Sequence, residues 1–248
     1  MKLSIHGCRG STATSSRSTQ KYGGNTSCFE VSTDNHQIIF DAGSGFQNVK
    51  LSKTRVSFLL LSHFHHDHVQ GLAFNPQLFD PKNEIIISSA LCEIEIVKKT
   101  IQKYFSSPYF PIDIVSSLSN IKFLPFNAVQ KKLEANLSLS SIALNHPGGS
   151  TGYKLKQKNT SFVYLCDNEF EEHQRKTLTT FAKNADVTRD RNASLPSFDF
   201  RLISTLFLDR LRLTKYPAQS CFGSSLRNGP FSRLLSPVPL SILITSAP

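Results

Sequence analysis

Across its first three quarters the chain alternates short apolar runs with polar punctuation. Residues 3–5, 27–32, 37–40, 56–61, 84–88, 137–144, 152–155 and 162–165 are rich in β-branched or aromatic side chains and are bounded by Gly, Asn, Asp or Pro, which predicts strands. Two segments change period. Leu91, Ile94, Val97, Ile101 and Phe105 recur near helical spacing and predict a helix over 91–105, and residues 171–183 form a second helix candidate. Strands interleaved with helices in a chain of 248 residues point to an α/β or α+β layered architecture around a full core. Apolar runs such as 58–61 fall far short of the ~18 to 20 residues needed to cross a bilayer, so no membrane association is expected.

Composition divides the chain near residue 188. Up to residue 187 the basic side chains are 16 Lys and 4 Arg; beyond it they are 1 Lys and 7 Arg. The last segment also lacks Glu and His and carries 10 Ser, 11 Leu and 6 of the 12 prolines. The expectation is a domain over 1–187 and an atypical Arg/Ser/Leu/Pro-rich tail over 188–248, either a low-complexity extension or a stretch read in a foreign frame. The net charge of +10 splits evenly across that boundary, 20 basic against 15 acidic and then 8 against 3. Basicity therefore says little about a site in the first part. Cys8, Cys28, Cys92, Cys166 and Cys221 are odd in number and widely spaced, which fits free thiols in a reducing compartment. With His6, Gly7 and Arg9 interrupting any apolar leader, a cytoplasmic location is expected.

The chemistry concentrates in Ser62-His-Phe-His-His-Asp-His-Val69, where four of the eight histidines fall within six residues. In an extended segment side chains two apart project to one side, so His63 and His65 are placed to chelate one metal. If the chain then turns, Asp67 and His68 face a second ion beside the first, in a pairing used for displacement at phosphorus or carbonyl centres. His66 is left as a spacer. No P-loop or dinucleotide fingerprint is present.

Other motifs accompany this cluster in order: Gly-Cys-Arg-Gly-Ser at 7–11, Tyr-Gly-Gly-Asn-Thr-Ser-Cys at 22–28, Ile-Ile-Phe-Asp-Ala-Gly-Ser-Gly at 38–45, Pro-Tyr-Phe-Pro at 108–111, Asn-His-Pro-Gly-Gly-Ser-Thr-Gly-Tyr at 145–153 and Tyr-Leu-Cys-Asp-Asn-Glu at 164–169. Together they resemble the metallo-β-lactamase-fold hydrolases, in particular their cyclic-phosphodiesterase and ribonuclease Z-like branch, over about residues 1–187. The resemblance implies an αββα sandwich whose C-terminal part is here incomplete or atypical. It implies that His63, His65 and His146 hold a first metal and Asp67 and His68 a second, with Asp167 bridging. One or two zinc ions are implied, with manganese or iron as alternatives; ions so placed lower the pKa of a bridging water toward 7, and Asp67 is the residue expected to act on that water. Gly148, Gly149, Ser150 and Thr151 are read as a substrate-phosphate cradle, and Asp41 as a carboxylate that holds a ligand from behind. The implied substrate is a small cyclic phosphate or nucleotide, with RNA 3′-end processing as the alternative; the oligomeric state is left open. A different reading, a non-catalytic or impaired member of the fold, rests on an absence. This branch usually carries a later His that completes the second site, and the only His beyond Asp167 is His173.

Overall fold

The computed structural model describes residues 1–19, 23–190 and 240–243. Two sheets face each other. The larger has the order β11-β1-β2-β3-β4-β5-β6, built from β1 (Lys2–Gly7), β2 (Cys28–Ser32), β3 (Gln37–Phe40), β4 (Ser57–Leu60), β5 (Ile85–Ser88), β6 (Ile121–Phe123) and β11 (Leu240–Leu243). The smaller has the order β10-β9-β8-β7, from β7 (Ser138–Leu144), β8 (Ser150–Gln157), β9 (Thr160–Leu165) and β10 (Val187–Asp190). The helices are α1 (His66–Val69), α2 (Ile94–Tyr104), α3 (Ile114–Ser117), α4 (Phe126–Leu133) and α5 (Arg175–Ala182).

The central strands read as unbroken apolar runs because both of their faces are covered. Ile38, Phe40, Phe58, Leu60 and Ile86 turn inward against Tyr153, Phe162 and Tyr164 of the second sheet. Their neighbours Ile39, Leu59, Leu61, Ile85 and Ile87 turn outward onto Val97 and Ile101 of α2, Phe105 just after it, and Ile114 of α3. Strand alternation thus feeds two cores from one set of strands. On the far side, Tyr153 and Leu155 point into the sandwich while Lys154 between them donates to the carbonyls of Phe181 and Lys183, which sets α5 on the outer face. The layers run helix, sheet, sheet, helix, as the resemblance implies. Among the described residues no helix is long and apolar enough to cross a membrane.

Several boundaries differ from the sequence reading. The 171–183 segment splits into a 3-10 turn, Glu172–Gln174, and α5. Strand β8 begins at Ser150 rather than 152, since Ser150 and Thr151 pair with Leu144 and Ala143. Elements α3, β6 and α4 had no sequence expectation. Strand β10 runs across residue 187 in parallel register with β9, and β11 pairs with β1; the rest of the 188–248 segment, including Cys221, lies outside the described residues.

Parallel pairing brings Phe40 beside Leu60 and Leu60 beside Ser88. The carboxyl ends of β3, β4 and β5 therefore finish at one edge, the usual place for a site in such sheets. The β7–β8 turn and the end of β9 come to the same edge.

Candidate metal centre

Beyond β4 the chain bends at Ser62 and then enters α1, whose first turn begins after His65 (φ −62°, ψ 150°). The β7–β8 turn delivers His146 to the same point. The ring centroids of His63 and His65 are 4.6 Å apart, those of His63 and His146 5.1 Å, and those of His65 and His146 4.8 Å. Nε2 of His146 lies 3.1 Å from Nδ1 of His65. One nitrogen of each ring falls into a single group small enough for one ion. Nδ1 of His63 is engaged by the Ser62 hydroxyl at 3.0 Å, whereas its Nε2 is buried with no hydrogen-bond partner. A buried imidazole nitrogen left in this way is costly unless something else takes its lone pair. Burial, helped by the neighbouring His68, pushes the His63 pKa down to about 4, so the ring is neutral at pH 7, the form that ligates metals. Burial likewise lowers the pKa of His146.

A second group adjoins the first. Nε2 of His68 is 3.5 Å from Asp67 and 3.8 Å from Oδ1 of Asp167, while Oδ2 of Asp167 is 3.7 Å from Nε2 of His146. Asp167 thus presents its two oxygens to histidines of the two groups, and the short helix α1 supplies the turn that brings Asp67 and His68 round. His66 points elsewhere: it is exposed and lies 6.0 Å from the Tyr104 ring. His173 is exposed and pairs with Glu171.

Beneath the rings lies a buried polar layer. Asp41, left-handed at φ 60° just after β3, accepts from the Ser62 amide at 2.7 Å, the Ser62 hydroxyl at 2.7 Å and the Tyr164 hydroxyl at 2.6 Å, and faces Nδ1 of His68 at 2.6 Å. Burial alone would raise its pKa, but charge and hydrogen bonding from His68 and the Ser62 amide lower it. Burial likewise disfavours a charged His68, yet the Cys166 sulfur, Asp41 and a hydrogen bond to Asp67 outweigh it and raise the pKa well above 6.5. With Nδ1 facing Asp41, the ring of His68 keeps Nε2 turned toward Asp67 and Asp167.

Sequence reasoning missed two members of this constellation. Cys166 is a buried free thiol whose Sγ lies 3.1 Å from the Ser62 hydroxyl and 3.6 Å from both Asp41 and Nδ1 of His68. It groups with His63 and His68 as a metal-sized cluster; however, the imidazole nitrogens nearest to it are those already facing Ser62 and Asp41, so it belongs to the supporting layer. Its place just before Asp167 at a strand end was the available signal, since neighbours there point to opposite sides. The other is Ser11, at φ 65°, whose amide donates to Oδ2 of Asp67 at 2.7 Å.

The glycine-rich turn resolves into two parts. Gly148 and Gly149 both have φ +83°; a Cβ on Gly148 would stand 3.9 Å from Nε2 of His65, so Gly148 flanks the imidazoles, whereas one on Gly149 would meet Leu91 at 3.0 Å. Ser150 and Thr151, expected to offer hydroxyls to a phosphate, are buried at the start of β8, and Oγ of Ser150 has no hydrogen-bond partner. Both pair with β7, and the Thr151 amide donates to the Ser62 carbonyl at 3.0 Å.

No family model matches the chain. A 3′,5′-cyclic-nucleotide phosphodiesterase of Schizosaccharomyces pombe is 29% identical over 150 residues, 59% of this chain and 38% of that protein. A ribonuclease Z of Metallosphaera sedula is 26% identical over 133 residues, 50% of this chain and 40% of that protein. The matches thus span about two fifths of each relative's length. Among solved structures, the metallo-β-lactamase fold protein YhfI of Bacillus subtilis superposes with a TM-score of 0.53 at 18% identity, covering 75% of this chain and 68% of its own. The chain has the metallo-β-lactamase fold. Unliganded yeast PDE1 agrees, with a TM-score of 0.51 at 13% identity over 84% of this chain and 83% of that one. In this metallo-β-lactamase fold the imidazole cluster sits where the strand ends of both sheets meet.

Proposed function

We propose that the chain is a metal-dependent hydrolase of phosphodiesters, acting on a small cyclic phosphate or nucleotide. The observation that carries the reading is the convergence of His63, His65 and His146, with the buried Nε2 of His63 lacking a protein partner, beside the acidic group of Asp67, His68 and Asp167. Neutral imidazoles with carboxylates suit zinc, and manganese or iron are alternatives. In this reading His63, His65 and His146 hold one ion, Asp67 and His68 hold a second, and Asp167 serves both. When bound, such ions supply Lewis acidity for a phosphoryl oxygen and a nucleophile derived from water at neutral pH. Asp67, steadied by the Ser11 amide, orients the attacking water and takes up its proton. Asp41 holds His68 by its Nδ1, and Gly148 leaves the approach to the imidazoles clear of a side chain.

The names of the two curated relatives support phosphodiester chemistry in preference to β-lactam or thioester hydrolysis, and the ribonuclease Z match keeps RNA 3′-end processing as the second reading. The change of composition near residue 188 supports reading residues 188–248 as a foreign ending, and reading the coding sequence beyond codon 187 in all three frames tests that part. The activity test is cleavage of bis(4-nitrophenyl) phosphate, abolished by a chelator and restored by zinc, with Asp67→Asn lowering kcat much more than it raises KM. A folded preparation that hydrolyses β-lactams or thioesters and no phosphodiester refutes the proposal.

A further inference from the structure

The layer beneath the imidazoles brings together a second set of donor atoms, on the side of His63 and His68 that faces away from the outer centre. Around Sγ of Cys166 lie Nδ1 of His68 at 3.6 Å, Oδ2 of Asp41 at 3.6 Å and Nδ1 of His63 at 3.8 Å. All four residues are buried, and His63, His68 and Cys166 form a group small enough for one ion. In a tetrahedral site with Zn–S of about 2.3 Å and Zn–N or Zn–O of about 2.0–2.2 Å, the sulfur stands about 3.6 Å from each other donor. The separations around Cys166 match that edge. One contact is closer: Nδ1 of His68 and Oδ2 of Asp41 are 2.6 Å apart across a shared proton, where two donors to one ion stand about 3.3 Å apart. Entry of an ion therefore expels that proton together with the Cys166 thiol proton and opens the pair by about 0.7 Å. The Ser62 hydroxyl, 3.0 Å from Nδ1 of His63 and 3.1 Å from Sγ, turns aside.

Charge and softness select the ion. One thiolate and one carboxylate neutralise a divalent ion, whereas a monovalent or trivalent ion leaves a net charge in a layer closed to water, which is costly. The sulfur then favours thiophilic ions of the zinc and cadmium kind over manganese. Such an ion is antagonistic to the outer centre, because a neutral imidazole has a single lone pair for a metal. Once Nδ1 of His63 and of His68 hold the inner ion, their Nε2 atoms carry the ring protons. The buried Nε2 of His63, which has no protein partner, then points an N–H at the place an outer ion would take.

We propose that Cys166, His63, His68 and Asp41 form an inner, inhibitory site for a thiophilic divalent ion, whose occupation withdraws His63 and His68 from the outer centre. The inhibition rests on the metal-dependent hydrolase reading; the inner site itself stands on the donor geometry.

Cadmium titration of the chelator-treated protein, followed in the ultraviolet, tests it. A thiolate-to-cadmium charge-transfer absorption is expected, lost in Cys166→Ser and kept in Cys92→Ser. Where Cys166→Ser does not fold, cadmium NMR of the unmodified, nitrogen-labelled protein decides: a cadmium resonance coupled to Nδ1 of two histidines supports the inner site, and coupling through Nε2 alone overturns it. Protein carrying this cadmium is expected to take up zinc at least about ten-fold more weakly than cadmium-free protein. An absent absorption, an absorption that persists in Cys166→Ser, or zinc uptake that cadmium leaves unchanged would each overturn the inference. Hydrolysis of bis(4-nitrophenyl) phosphate by zinc-loaded, cadmium-free protein reports separately on the hydrolase reading, since cadmium at Cys166 and weakened zinc uptake without any hydrolysis fail that reading alone.

Discussion

Replacing Asp41 with asparagine probes the layer under the imidazoles while changing almost no volume. One carboxylate oxygen accepts from the Ser62 amide; the other accepts the Ser62 and Tyr164 hydroxyls and faces Nδ1 of His68. An asparagine turns its NH2 either toward the Ser62 amide, a donor that cannot rotate, or toward His68, which loses its acceptor. One fixed donor left unsatisfied costs about 1–3 kcal/mol and the lost charge-assisted bond about 1.5–3 kcal/mol, so whichever way the amide turns Asp41→Asn is expected to destabilise the metal-free protein by roughly 1–3 kcal/mol. The pKa shifts set the pH dependence. Asp41 is lowered from 3.8, so its contribution is fully present above that value and disappears as pH falls through the folded value; His68 is raised from 6.5, so its contribution is fully present below 6.5 and fades as pH rises through the folded value. The gap between wild type and variant is widest between 3.8 and 6.5. Urea unfolding of chelator-treated protein across that range measures it, and competition with a chromophoric chelator is expected to show metal affinity about 10–100-fold weaker. An unchanged unfolding midpoint together with unchanged metal affinity would refute Asp41 as the support of this site.

Three further outcomes follow from the geometry. Elemental analysis after desalting is expected to find at least one zinc-class ion per chain, lost in His63→Ala/His65→Ala and retained in His66→Ala, whose ring faces Tyr104; a folded wild type that keeps well under one ion contradicts this. Gly149→Ala combines φ +83° with a Cβ 3.0 Å from Leu91 and is expected to cost about 1–3 kcal/mol, more than Gly23→Ala, where φ is +79° but nothing lies near the new Cβ; equal melting temperatures for the two would show that the turn tolerates the contact. Because a proton on His68 competes with an ion and its pKa is raised, affinity at the Asp67/His68 group is expected to keep climbing as pH rises past 6.5, and a titration that is flat there excludes His68 as a ligand.

The central strands were legible because β3, β4 and β5 are continuous apolar runs with few other conformations open to them, and the His63–His68 cluster was legible because its members are near neighbours in sequence. Strand β6, three residues long, has too little text to read, and α4 was hidden because Pro125 and short apolar spacing resemble a loop. The supporting layer was unreadable for another reason. Tyr164 reaches Asp41 from 123 positions away and Cys166 reaches Ser62 from 104, contacts that exist only once the two sheets close.

The alternation that sends Phe58 and Leu60 to one core and Leu59 and Leu61 to the other has a consequence for inheritance. Strand β4 acts as a ruler whose last marks are Ser62 and His63, so inserting or deleting one residue between 57 and 63 would exchange the two cores and rotate His63 away from His146 in the same event. Length variation among descendants of this sequence is therefore expected to spare that stretch and to gather where neither count matters, as in the exposed residues 53–54 ahead of the strand.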